Sequence, residues 1–583
     1  MRKTKIICTL GPSTDSPEII RGLIERGMDV VRLNFSHGSR DEHLSRILMV
    51  REMARSLGRY VAIMLDTRGP EIRTGKLKTG RAKLVNGQRF ILTTREIIGD
   101  ESQVQVSFDG FPEEVKPGDR ILLSDGFIQL EVREVVDRRD VVCQVLYGGE
   151  LGERKGVNIP GVRTRMPYMN DQDKADISFG LEHGVDIIAA SFVTAPEDIL
   201  QIRHIVEEHD AVVDIIAKIE SQGGVNRLDE IIKVADGVMV ARGDLGVDIA
   251  TEEVPLVQKA VIKRCNEAGK VVIIATQMLE SMINNPRPTR AEASDVANAI
   301  FDGADAIMRS GETAAGRYPL DAVKTMARIA CRTEEVLPYD QMLTSRGLQG
   351  NRTVTDAISY ATCTTAKDLG ISTIITSTQS GSTARMVSKH RPSSRIIAAT
   401  PDEGVARRLN LVWGVIPLLV KRSRNTDQMI EESVTASVRA GLVREGELVV
   451  ITAGVPTGIP GTTNLLKVHI VAEVLLTGTG IGDGSASGVA RLVEQPVERM
   501  IFNEGDILVT RSTNPDFIPL IQKAGAVLVE EGGLTSHAAI VGINLGVPVV
   551  VGIEGVMDKL KNGTLVTVDT ARGQVYKGLT KVL

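Results

Sequence analysis

The segment Asp214-Ile-Ile-Ala-Lys-Ile-Glu-Ser221 combines an apolar, β-branched run with a lysine and a glutamate near its end. In a β-strand, side chains two positions apart point to the same face, so Lys218 and Glu220 would share one site. An ammonium and a metal-binding carboxylate together suit a phosphate or an enolate, because each neutralises charge that the other does not reach. An isolated pair of this kind is more commonly a salt bridge at a strand end, so its meaning depends on the rest of the chain.

Further apolar runs of the same character recur through the first half of the chain, separated by amphipathic stretches of helical period. Together the runs are Ile6–Leu10, Val30–Phe35, Val61–Asp66, Ile187–Phe192, Ile215–Glu220, Gly237–Ala241, Val271–Thr276 and Ala304–Arg309. Continuous apolar strands are typical of a parallel sheet that is covered on its outer face. Eight such strands alternating with helices predict an α/β fold built on a (β/α)₈ TIM barrel.

Polar residues follow these runs at a consistent place, their C-terminal ends. The groups are Asn34 and Ser36, Asp66 and Thr67, Lys218 and Glu220, Arg242 to Asp244, Thr276, and Ser310 to Glu312. Barrel enzymes build their active sites at this end of the strands. The sequence therefore predicts a site at the C-terminal face of the barrel.

The remaining sequence indicates further domains. The third and fourth runs are separated by far more residues than one crossover helix needs, and the intervening segment has the short alternating stretches and turns of β structure. A Gly/Ser-rich stretch near the C-terminus is typical of a flexible linker. We predict a barrel at 1–69 and 168–337, an inserted small β-barrel lid at 70–167, an α/β domain at 338–476, a linker at 477–488 and a last domain at 489–583.

The composition is that of an ordinary globular protein, with 42% hydrophobic and 25% charged residues among 583. The net charge of −5 gives no basic field for nucleic acid. The five cysteines lack metal-ligand spacing, and no segment has the length of a membrane span or a signal-peptide core. We therefore expect a cytoplasmic protein with reduced thiols that binds neither nucleic acid nor membrane.

The next segment with chemical meaning is Asp236-Gly-Val-Met-Val-Ala-Arg-Gly-Asp-Leu-Gly246. Asp244 ends the strand that neighbours Glu220, so the two carboxylates can bind one hard divalent cation and leave positions for substrate oxygens and water. Gly243 and Gly246 leave backbone N–H groups open to a carboxylate or phosphate. Standing alone, Arg-Gly-Asp would more often be an ordinary surface turn.

The segment Val31-Arg-Leu-Asn-Phe-Ser-His-Gly38 alternates in the same way and places Arg32, Asn34 and Ser36 on one face. An arginine beside two neutral oxygen ligands can hold a phosphoryl group while the oxygens hold a cation. The pair Asp66-Thr67 would complete that second site. With one formal charge, it suits a monovalent ion better than a second Mg²⁺. His37 is equally well explained as a residue that packs or caps at the strand end.

Taken together, these motifs resemble those of pyruvate kinase, of the bacterial type with an extra C-terminal domain. The matching segments are Cys8-Thr-Leu-Gly-Pro-Ser13, Arg32-Leu-Asn-Phe-Ser-His37, Leu65-Asp-Thr-Arg-Gly-Pro-Glu-Ile-Arg-Thr74, Lys155-Gly-Val-Asn158, Ala217-Lys-Ile-Glu220, Ala241-Arg-Gly-Asp-Leu-Gly246, Ala275-Thr-Gln-Met-Leu279 and Ser310-Gly-Glu-Thr-Ala314. The resemblance implies transfer of a phosphoryl group from phosphoenolpyruvate to ADP, giving pyruvate and ATP in glycolysis. It also implies a homotetramer that uses Mg²⁺ (or Mn²⁺) and K⁺.

Catalytic roles follow from the resemblance. It assigns Glu220 and Asp244 to Mg²⁺, and Arg32 and Lys218 to the transferring phosphoryl group. Lys218 would also stabilise the enolate oxygen. The backbone amides near Gly243 and Asp244 would hold the substrate carboxylate together with Thr276, which also belongs to the relay that protonates C3 of the enolate. Phosphoryl transfer needs positioning and charge neutralisation more than covalent help, which agrees with this division.

The resemblance assigns the second cation site and the nucleotide site as well. Asn34, Ser36, Asp66 and Thr67 are the implied K⁺ ligands, and Asn34, His37, Arg73 and Lys155 the implied nucleotide contacts. Family members that are independent of potassium have a lysine where this chain has Glu71, so potassium dependence is predicted. Alone, Arg73 or Lys155 would more often be a solvated surface cation.

A hydroxyl-rich loop lies in the third domain, within Ile374-Ile-Thr-Ser-Thr-Gln-Ser-Gly-Ser-Thr-Ala-Arg385. After a strand and before a helix, such a loop can wrap a phosphate, although a helix cap with spare hydroxyls is a serious alternative. In pyruvate kinases the matching loop binds a phosphorylated allosteric effector. The implied contacts are Thr376, Ser377, Thr378, Ser380, Gly381, Ser382 and Thr383.

The last domain resembles the mobile phosphohistidine domain of phosphoenolpyruvate synthase and pyruvate phosphate dikinase. The matching segments are Asn514–Pro519, Glu531–Val541 and Leu545–Gly552, with His537 at the position of the phosphorylated histidine. The chain has no segment left for a domain that would load this histidine, and Val541-Gly-Ile-Asn544 lacks the usual arginine. We therefore favour a structural or regulatory role, with His537 as a helix-start residue.

Two rival functions remain open at the level of sequence. One is a Mg²⁺-dependent lyase or aldolase that acts on pyruvate enolates, which would also use a glutamate and an aspartate at strand ends. The Arg32 motif, Arg73 and the inserted lid argue against it, because an aldolase needs no ADP site. The other is a phosphohistidine carrier or sensor, in which the last domain has the main function and the barrel a secondary one.

Overall fold

The computed structural model describes residues 2–162, 164–347, 353–423, 425–455, 461–472, 474–482, 484–496 and 500–580. It divides into two compact units, one formed by Met1–Tyr360 and Thr378–Leu419, the other by Ala361–Ser377 and Val420–Leu583. The division passes through the predicted third domain, so the domain boundaries themselves stay a prediction. None of the helices in these ranges is both long and apolar enough to cross a membrane.

The first unit is built on eight parallel strands. They are β1 Lys5–Thr9, β2 Val30–Asn34, β3 Ala62–Asp66, β4 Ile187–Ala190, β5 Asp214–Ile219, β6 Gly237–Ala241, β7 Val271–Ala275 and β8 Ala306–Arg309. Each strand pairs with the next in chain order and β8 pairs with β1, which closes the barrel. The strands are almost wholly buried because helices cover their outer face, as in other parallel sheets. The predicted barrel and its eight strands are confirmed.

One main helix follows each strand. These helices are Pro17–Glu25, Arg40–Ser56, Asp171–Glu182, Pro196–Glu208, Leu228–Val234, Val254–Ala268, Arg290–Asp302 and Pro319–Glu334. Shorter helical turns at Pro12–Thr14, Gln222–Asn226, Arg242–Asp248, Glu280–Ile283 and Gly311–Ala314 follow strand ends at the face where the polar groups lie. Apolar side chains of strands and helices form one continuous core.

The insertion after β3 is a β domain with its own core. Its strands are Arg81–Leu84, Arg89–Thr93, Gln103–Gln105, Arg120–Leu123, Ile128–Val136, Asp140–Tyr147, Gly149–Gly152 and Val157–Asn158, with a helical turn at Phe111–Glu114. The described strands form a six-stranded sheet and a separate two-stranded sheet. Arg73 forms a bridge with Gly156, next to one edge strand of the larger sheet, and Thr74 forms a bridge with Val106, next to the other edge strand. The two edges are thus joined through consecutive residues, in agreement with the predicted small β-barrel.

The first unit also contains a parallel pair of strands, Arg395–Thr400 and Val415–Leu419, with helices Tyr339–Ser345, Ser382–Lys389 and Glu403–Leu409. Ion pairs connect the helices of this segment to residues at the N-terminal ends of barrel strands. The Arg385 guanidinium lies 2.5 Å from Asp214 at the start of β5, and the Arg407 guanidinium lies 2.7 Å from Asp186 just before β4. These contacts lie at the end of the barrel opposite the predicted site.

The second unit contains two sheets. In the first, Thr373–Ser377 pairs in parallel with Leu448–Gly454, which pairs antiparallel with Thr463–Ile470, and helix Thr426–Arg439 packs nearby. The helix Val354–Asp368 begins in the first unit and ends in the second. The other sheet has eight strands, which are Val474–Thr477, Thr479–Ile481, Ser485–Leu492, Ile507–Thr510, Ala526–Val529, Val549–Val551, Leu565–Asp569 and Gln574–Lys577. Its helices are Ile518–Ile521, His537–Leu545 and Val556–Lys559.

The segment 477–488 differs from the predicted flexible linker. Thr479–Ile481 pairs antiparallel with Val549–Val551, and Ser485–Leu492 pairs with both Leu565–Asp569 and Ile507–Thr510. Glycine serves close backbone approach here, since a Cβ at Gly480 would lie 1.7 Å from the Thr570 carbonyl oxygen. The glycine-rich composition therefore belongs to an edge strand, Thr479–Ile481, and to the start of an interior strand, Ser485–Leu492, and the last sheet begins at Val474.

We expect removal of residues 474–583 to leave most of the ATP-forming turnover intact. Every side chain predicted to take part in catalysis belongs to the first unit, whereas the deletion removes one complete sheet of the second. Steady-state rates of the truncated and full-length proteins, with His537→Ala in the full chain as a matched control, test this. Loss of turnover in a truncated protein whose circular dichroism spectrum shows that the remaining domains are folded would contradict the prediction.

Candidate active site

Lys218 is held by three oxygen atoms at the end of β5. Its Nζ lies 2.6 Å from Ser191 Oγ, 3.0 Å from Asp66 Oδ1 and 3.1 Å from Glu220 Oε1, and the residue is only 7% exposed. Burial lowers the pKa of Lys218, but the carboxylates of Asp66 and Glu220 outweigh burial and raise the pKa above its ordinary value. The side chain therefore carries a fixed positive charge, and the predicted pairing of Lys218 with Glu220 is confirmed.

Contacts at both carboxylate oxygens fix the orientation of the Glu220 side chain. Oε1 contacts Lys218, and Oε2 accepts a hydrogen bond of 2.5 Å from the Phe192 backbone N–H. Phe192 has a left-handed φ of 54°, a conformation that costs a bulky residue free energy and that aims its N–H at the carboxylate. Burial raises the pKa of Glu220, the Lys218 charge opposes this effect, and the Asp244 carboxylate raises the pKa further. A metal cation would relieve the repulsion between the two carboxylates.

Asp244 lies in the first turn of helix Arg242–Asp248, directly after β6. It is half-buried, and its carboxylate accepts no hydrogen bond from the described residues. No group of three or more His, Cys, Asp or Glu side chains with metal-binding geometry occurs in the described ranges. Glu220 and Asp244 thus offer two carboxylates to a hard cation whose other ligands would come from substrate and water. This donor set fits Mg²⁺ or Mn²⁺.

Arg32 lies on β2 and is connected to Lys218 through Asp66. Its guanidinium donates from Nε to Asp66 Oδ2 and from Nη1 to Thr9 Oγ1, the latter at 3.1 Å. Burial raises the pKa of Asp66, but the charges of Arg32 and Lys218 outweigh burial and hold the pKa below its ordinary value. The fully buried Asp66 thus links the two cations that the sequence predicts for phosphoryl binding.

The predicted K⁺ ligands lie at the ends of β2 and β3. Asn34 is the register partner of Asp66, its Oδ1 accepts a 3.1 Å hydrogen bond from the Ser36 N–H, and Thr67 follows Asp66 directly. Ser191 donates to the Thr67 carbonyl oxygen at 2.7 Å, which fixes the backbone after β3. Neutral oxygens with one carboxylate fit a monovalent cation.

The predicted nucleotide contacts Arg73 and Lys155 lie on neighbouring segments of the inserted domain. The Thr74 N–H donates to the Lys155 carbonyl oxygen at 2.8 Å, and the Arg73 guanidinium contacts Glu71 at 2.6 Å. Partial desolvation lowers the pKa of His37, and the charges of Arg73, Arg32, Arg68 and Lys155 lower it further. The predicted residues therefore contribute to one positive field near the end of β2, which suits phosphate groups.

Thr276 and Gly243 meet at the ends of β7 and β6. The Gly243 N–H donates to Thr276 Oγ1 at 2.8 Å, and this hydroxyl donates to the Ala275 carbonyl oxygen at 2.7 Å. A cleft of about 990 Å³ lies between the inserted domain and the barrel, and Glu71, Asn158, Phe192 and Glu220 are among its lining residues. Glu220 therefore borders a cleft that is large enough for a small molecule.

The predicted effector residues are divided between the two units. Thr376 and Ser377 end strand Thr373–Ser377 in the second unit, and the others, in the first unit, are Thr378, Ser380, Gly381, Ser382 and Thr383. Gly381 has a φ of 87° and donates its N–H to Thr378 Oγ1 at 2.9 Å, just before helix Ser382–Lys389 begins. The glycine is thus required for the turn, and one hydroxyl is used within the loop itself.

His537 begins helix His537–Leu545, as the sequence predicted, with Ser536 as its N-cap. The residue is half-buried, and its Nδ1 lies 3.0 Å from Thr513 Oγ1. Leu534, Ile540 and Ile543 near it are exposed. The structure thus places the histidine at a helix start.

Three parts of the site were missed by sequence reasoning. Ser191 and Phe192 follow β4 and orient Lys218 and Glu220, and Thr9 at the end of β1 contacts Arg32. All three occupy the C-terminal end of a barrel strand, the rule that found the other site residues. Thr9 lies in the matching segment Cys8–Ser13 but was given no role there. Ser191 and Phe192 lie in no quoted motif, and a backbone N–H gives no sequence signal.

The comparisons with known proteins agree with this geometry. Residues 1–323 match the family described as "Pyruvate kinase, barrel domain", and residues 356–469 match "Pyruvate kinase, alpha/beta domain". The chain belongs to the pyruvate kinase family. Residues 502–573 match "PEP-utilising enzyme, mobile domain", which agrees with the resemblance of the last domain.

Relatives of similar length include two bacterial pyruvate kinases. The chain is 52% identical to a pyruvate kinase of Geobacillus stearothermophilus and 47% identical to one of Staphylococcus aureus, each comparison covering 100% of both chains. A crystal structure of a pyruvate kinase from Cryptosporidium parvum is similar with a TM-score of 0.76 and 39% identity, covering 81% of this chain and 96% of that one. The extra domain is thus shared with the bacterial relatives.

We expect Lys218→Met to lower kcat about 1,000-fold, since an electrostatic contact made in the transition state is typically worth a few kcal/mol. Mn²⁺ affinity should change little, because Glu220 and Asp244 remain. Turnover assays and Mn²⁺ titrations measure the two effects. Lys263→Met, at an exposed lysine, is the matched control.

In Lys218→Met the buried carboxylates of Asp66 and Glu220 lose their contact with Lys218, which can destabilise the fold. The melting temperature of the variant is therefore measured in parallel. Near-normal turnover in a folded Lys218→Met protein would refute the role of Lys218. An equal loss in Lys263→Met would show that the effect is not specific to the site.

Proposed function

We propose that this chain transfers the phosphoryl group of phosphoenolpyruvate to ADP and so forms pyruvate and ATP in glycolysis. The observation that carries the proposal is the buried ammonium of Lys218, held between Asp66 and Glu220, with Asp66 also bound to Arg32. Two fixed cations next to metal-binding carboxylates suit the transfer of a highly charged group, since such catalysis consists of positioning and charge neutralisation. The family relationship supports the same reaction.

Arg32 and Lys218, which bind the two oxygens of the same Asp66 carboxylate, would together hold the transferring phosphoryl group. Lys218 would also neutralise the enolate oxygen that is exposed when the bond to phosphorus breaks. Its neighbours keep it fully charged, so the enolate is stabilised without a proton transfer at that step. Ser191 fixes the position of Nζ.

Glu220 and Asp244 would hold Mg²⁺ or Mn²⁺, which supplies Lewis-acid stabilisation of oxygens on the substrate. The N–H groups at Gly243 and Asp244, at the start of a helical turn after β6, would hold the substrate carboxylate together with Thr276. Thr276 would also belong to the relay that delivers a proton to C3 of the enolate. These assignments follow from the family motifs and from the positions of the side chains.

Asn34, Ser36, Asp66 and Thr67 would hold K⁺. Asn34, His37, Arg73 and Lys155 would contact the nucleotide. The charges of Arg73 and Lys155, on the inserted domain, lower the pKa of His37 after β2, so closure of that domain would bring positive charge to the phosphates of ADP.

Regulation and assembly are proposed from the family alone. The hydroxyl-rich residues between Thr376 and Thr383 would bind the phosphate of an allosteric effector, and the chain would assemble as a cytoplasmic homotetramer. The exposed position of Ser380 and the glycine turn at Gly381 are compatible with a phosphate that approaches from solvent.

A coupled assay of ATP formation from phosphoenolpyruvate and ADP tests the reaction directly. A lyase or aldolase would form no ATP from these substrates. A folded protein that binds Mn²⁺ but forms no ATP would refute the proposal. Acid-labile phosphate on the wild-type protein, lost together with turnover in His537→Ala, would favour the phosphohistidine carrier instead.

We expect the enzyme to need K⁺, and Glu71→Lys to reduce that need. Glu71 contacts Arg73, and burial raises its pKa against the opposing charge of Arg73, so a lysine here would place a fixed cation near the end of β3. Initial rates with K⁺ and with tetramethylammonium, for the wild type and for Glu71→Lys and Glu71→Gln, measure this. Equal rates of the wild type in the two salts would contradict the predicted K⁺ site.

A further inference from the structure

Thr276 is held in a backbone conformation that threonine disfavours. Its φ is 66° and that of Gln277 is 55°, so two consecutive side-chain-bearing residues are left-handed directly after β7. A β-branched residue rarely adopts this region, and such strain persists only where the surroundings fix the backbone. The conformation places Thr276 Oγ1 within 2.8 Å of the Gly243 nitrogen.

The surroundings that fix Thr276 are centred on Arg242. Its Nη2 donates to the Thr276 carbonyl oxygen at 2.7 Å, and its Nε donates to the Ala275 carbonyl oxygen at 3.4 Å. Asp295, on helix Arg290–Asp302, accepts two bonds from the same guanidinium, at 2.7 Å to Nη1 and 2.8 Å to Nη2. A bidentate pair of this kind fixes the plane of the guanidinium and therefore the two carbonyl groups.

The rest of the loop that follows β7 is held by hydrogen bonds that do not involve Arg242. The Leu279 N–H donates to Glu312 at 3.2 Å, and Ser281 donates to Glu292 from its N–H at 2.7 Å and its hydroxyl at 2.6 Å. Loss of the Arg242 contacts would thus leave the loop attached at Leu279 and Ser281. Only the residues at its start, Thr276 and Gln277, would be released from the strained conformation.

We propose that Asp295 and Arg242 are positioning residues for catalysis, which act by holding Thr276 in its strained conformation. Neither needs to touch the substrate. The inference rests on the proposed role of Thr276 at the substrate carboxylate and at C3 of the enolate. It adds that helix Arg290–Asp302 fixes the position of Thr276 through the ion pair between Asp295 and Arg242.

The variants are Asp295→Asn, Thr276→Ala, their double mutant, and Asp236→Asn as control. Asn at position 295 keeps the size of the side chain but places an amide donor against the guanidinium. Asp236 forms an ion pair of 2.9 Å with Arg203 just before β6, at the opposite end of the strand that Arg242 follows. The control therefore removes a similar ion pair far from the site.

We expect Asp295→Asn to lower kcat/KM for phosphoenolpyruvate about tenfold or more, because small displacements of a positioned group cost up to roughly 100-fold. The KM for ADP, the Mn²⁺ affinity and the melting temperature should differ little from those of Asp236→Asn. If Asp295 acts through Thr276, adding Asp295→Asn to Thr276→Ala should cause little further loss. Exchange of the pyruvate methyl protons with solvent should fall in parallel in both single variants.

Three outcomes would overturn the inference. They are normal kinetics of Asp295→Asn, a loss no larger than that of Asp236→Asn, and full additivity with Thr276→Ala. Normal kinetics of Thr276→Ala would instead refute the proposed role of Thr276 itself, and the inference with it. If Asp295→Asn does not fold, Arg242→Lys takes its place in the same cycle, because lysine cannot bind Asp295 and the two carbonyl groups at once.

Discussion

The site depends on one buried ammonium. Lys218 is surrounded by Asp66, Glu220 and Ser191, and without these oxygens its burial would favour the neutral amine. Each partner has a second contact. Asp66 binds Arg32, and Glu220 accepts the Phe192 N–H. Strands β2, β3, β4 and β5 are therefore joined at their C-terminal ends by charge and hydrogen bonding as well as by their backbones, and the catalytic groups cannot shift independently.

The barrel could be predicted because its signal is repeated and local. Each strand is a continuous apolar run, and the polar residues after the runs mark one end, so Lys218, Glu220 and Asp244 could be placed together without coordinates. The alternation within Arg32-Leu-Asn-Phe-Ser placed Arg32 beside Asn34 for the same reason. What the pattern does not contain is the partner of each group, because the contact between Arg32 and Asp66 depends on side-chain conformations at two different strand ends.

The parts that could not be predicted depend on backbone geometry or on packing between distant segments. The Phe192 N–H acts through a left-handed φ that its sequence does not signal, and Ser191 is one serine among many. The segment 477–488 looked like a linker because glycine marks both flexible chain and close backbone approach. Its contacts with Thr570 and with Val549–Val551 show that these glycines allow close backbone approach. Composition alone does not distinguish this case from a flexible chain.

Charge balance explains why this site would need two different cations. Arg32 and Lys218 bring two positive charges and Asp66, Glu220 and Asp244 bring three negative charges, so the five side chains carry a net charge of −1. Such a site repels phosphoenolpyruvate and ADP, which are both strongly anionic. One Mg²⁺ and one K⁺ would change the sum to +2 and make it attractive, with the divalent ion at the carboxylates and the monovalent ion at the mainly neutral oxygens of β2 and β3. Lysine in place of Glu71, which is not among these five side chains, would change the local charge by +2 and so supply at least the single charge that K⁺ would bring.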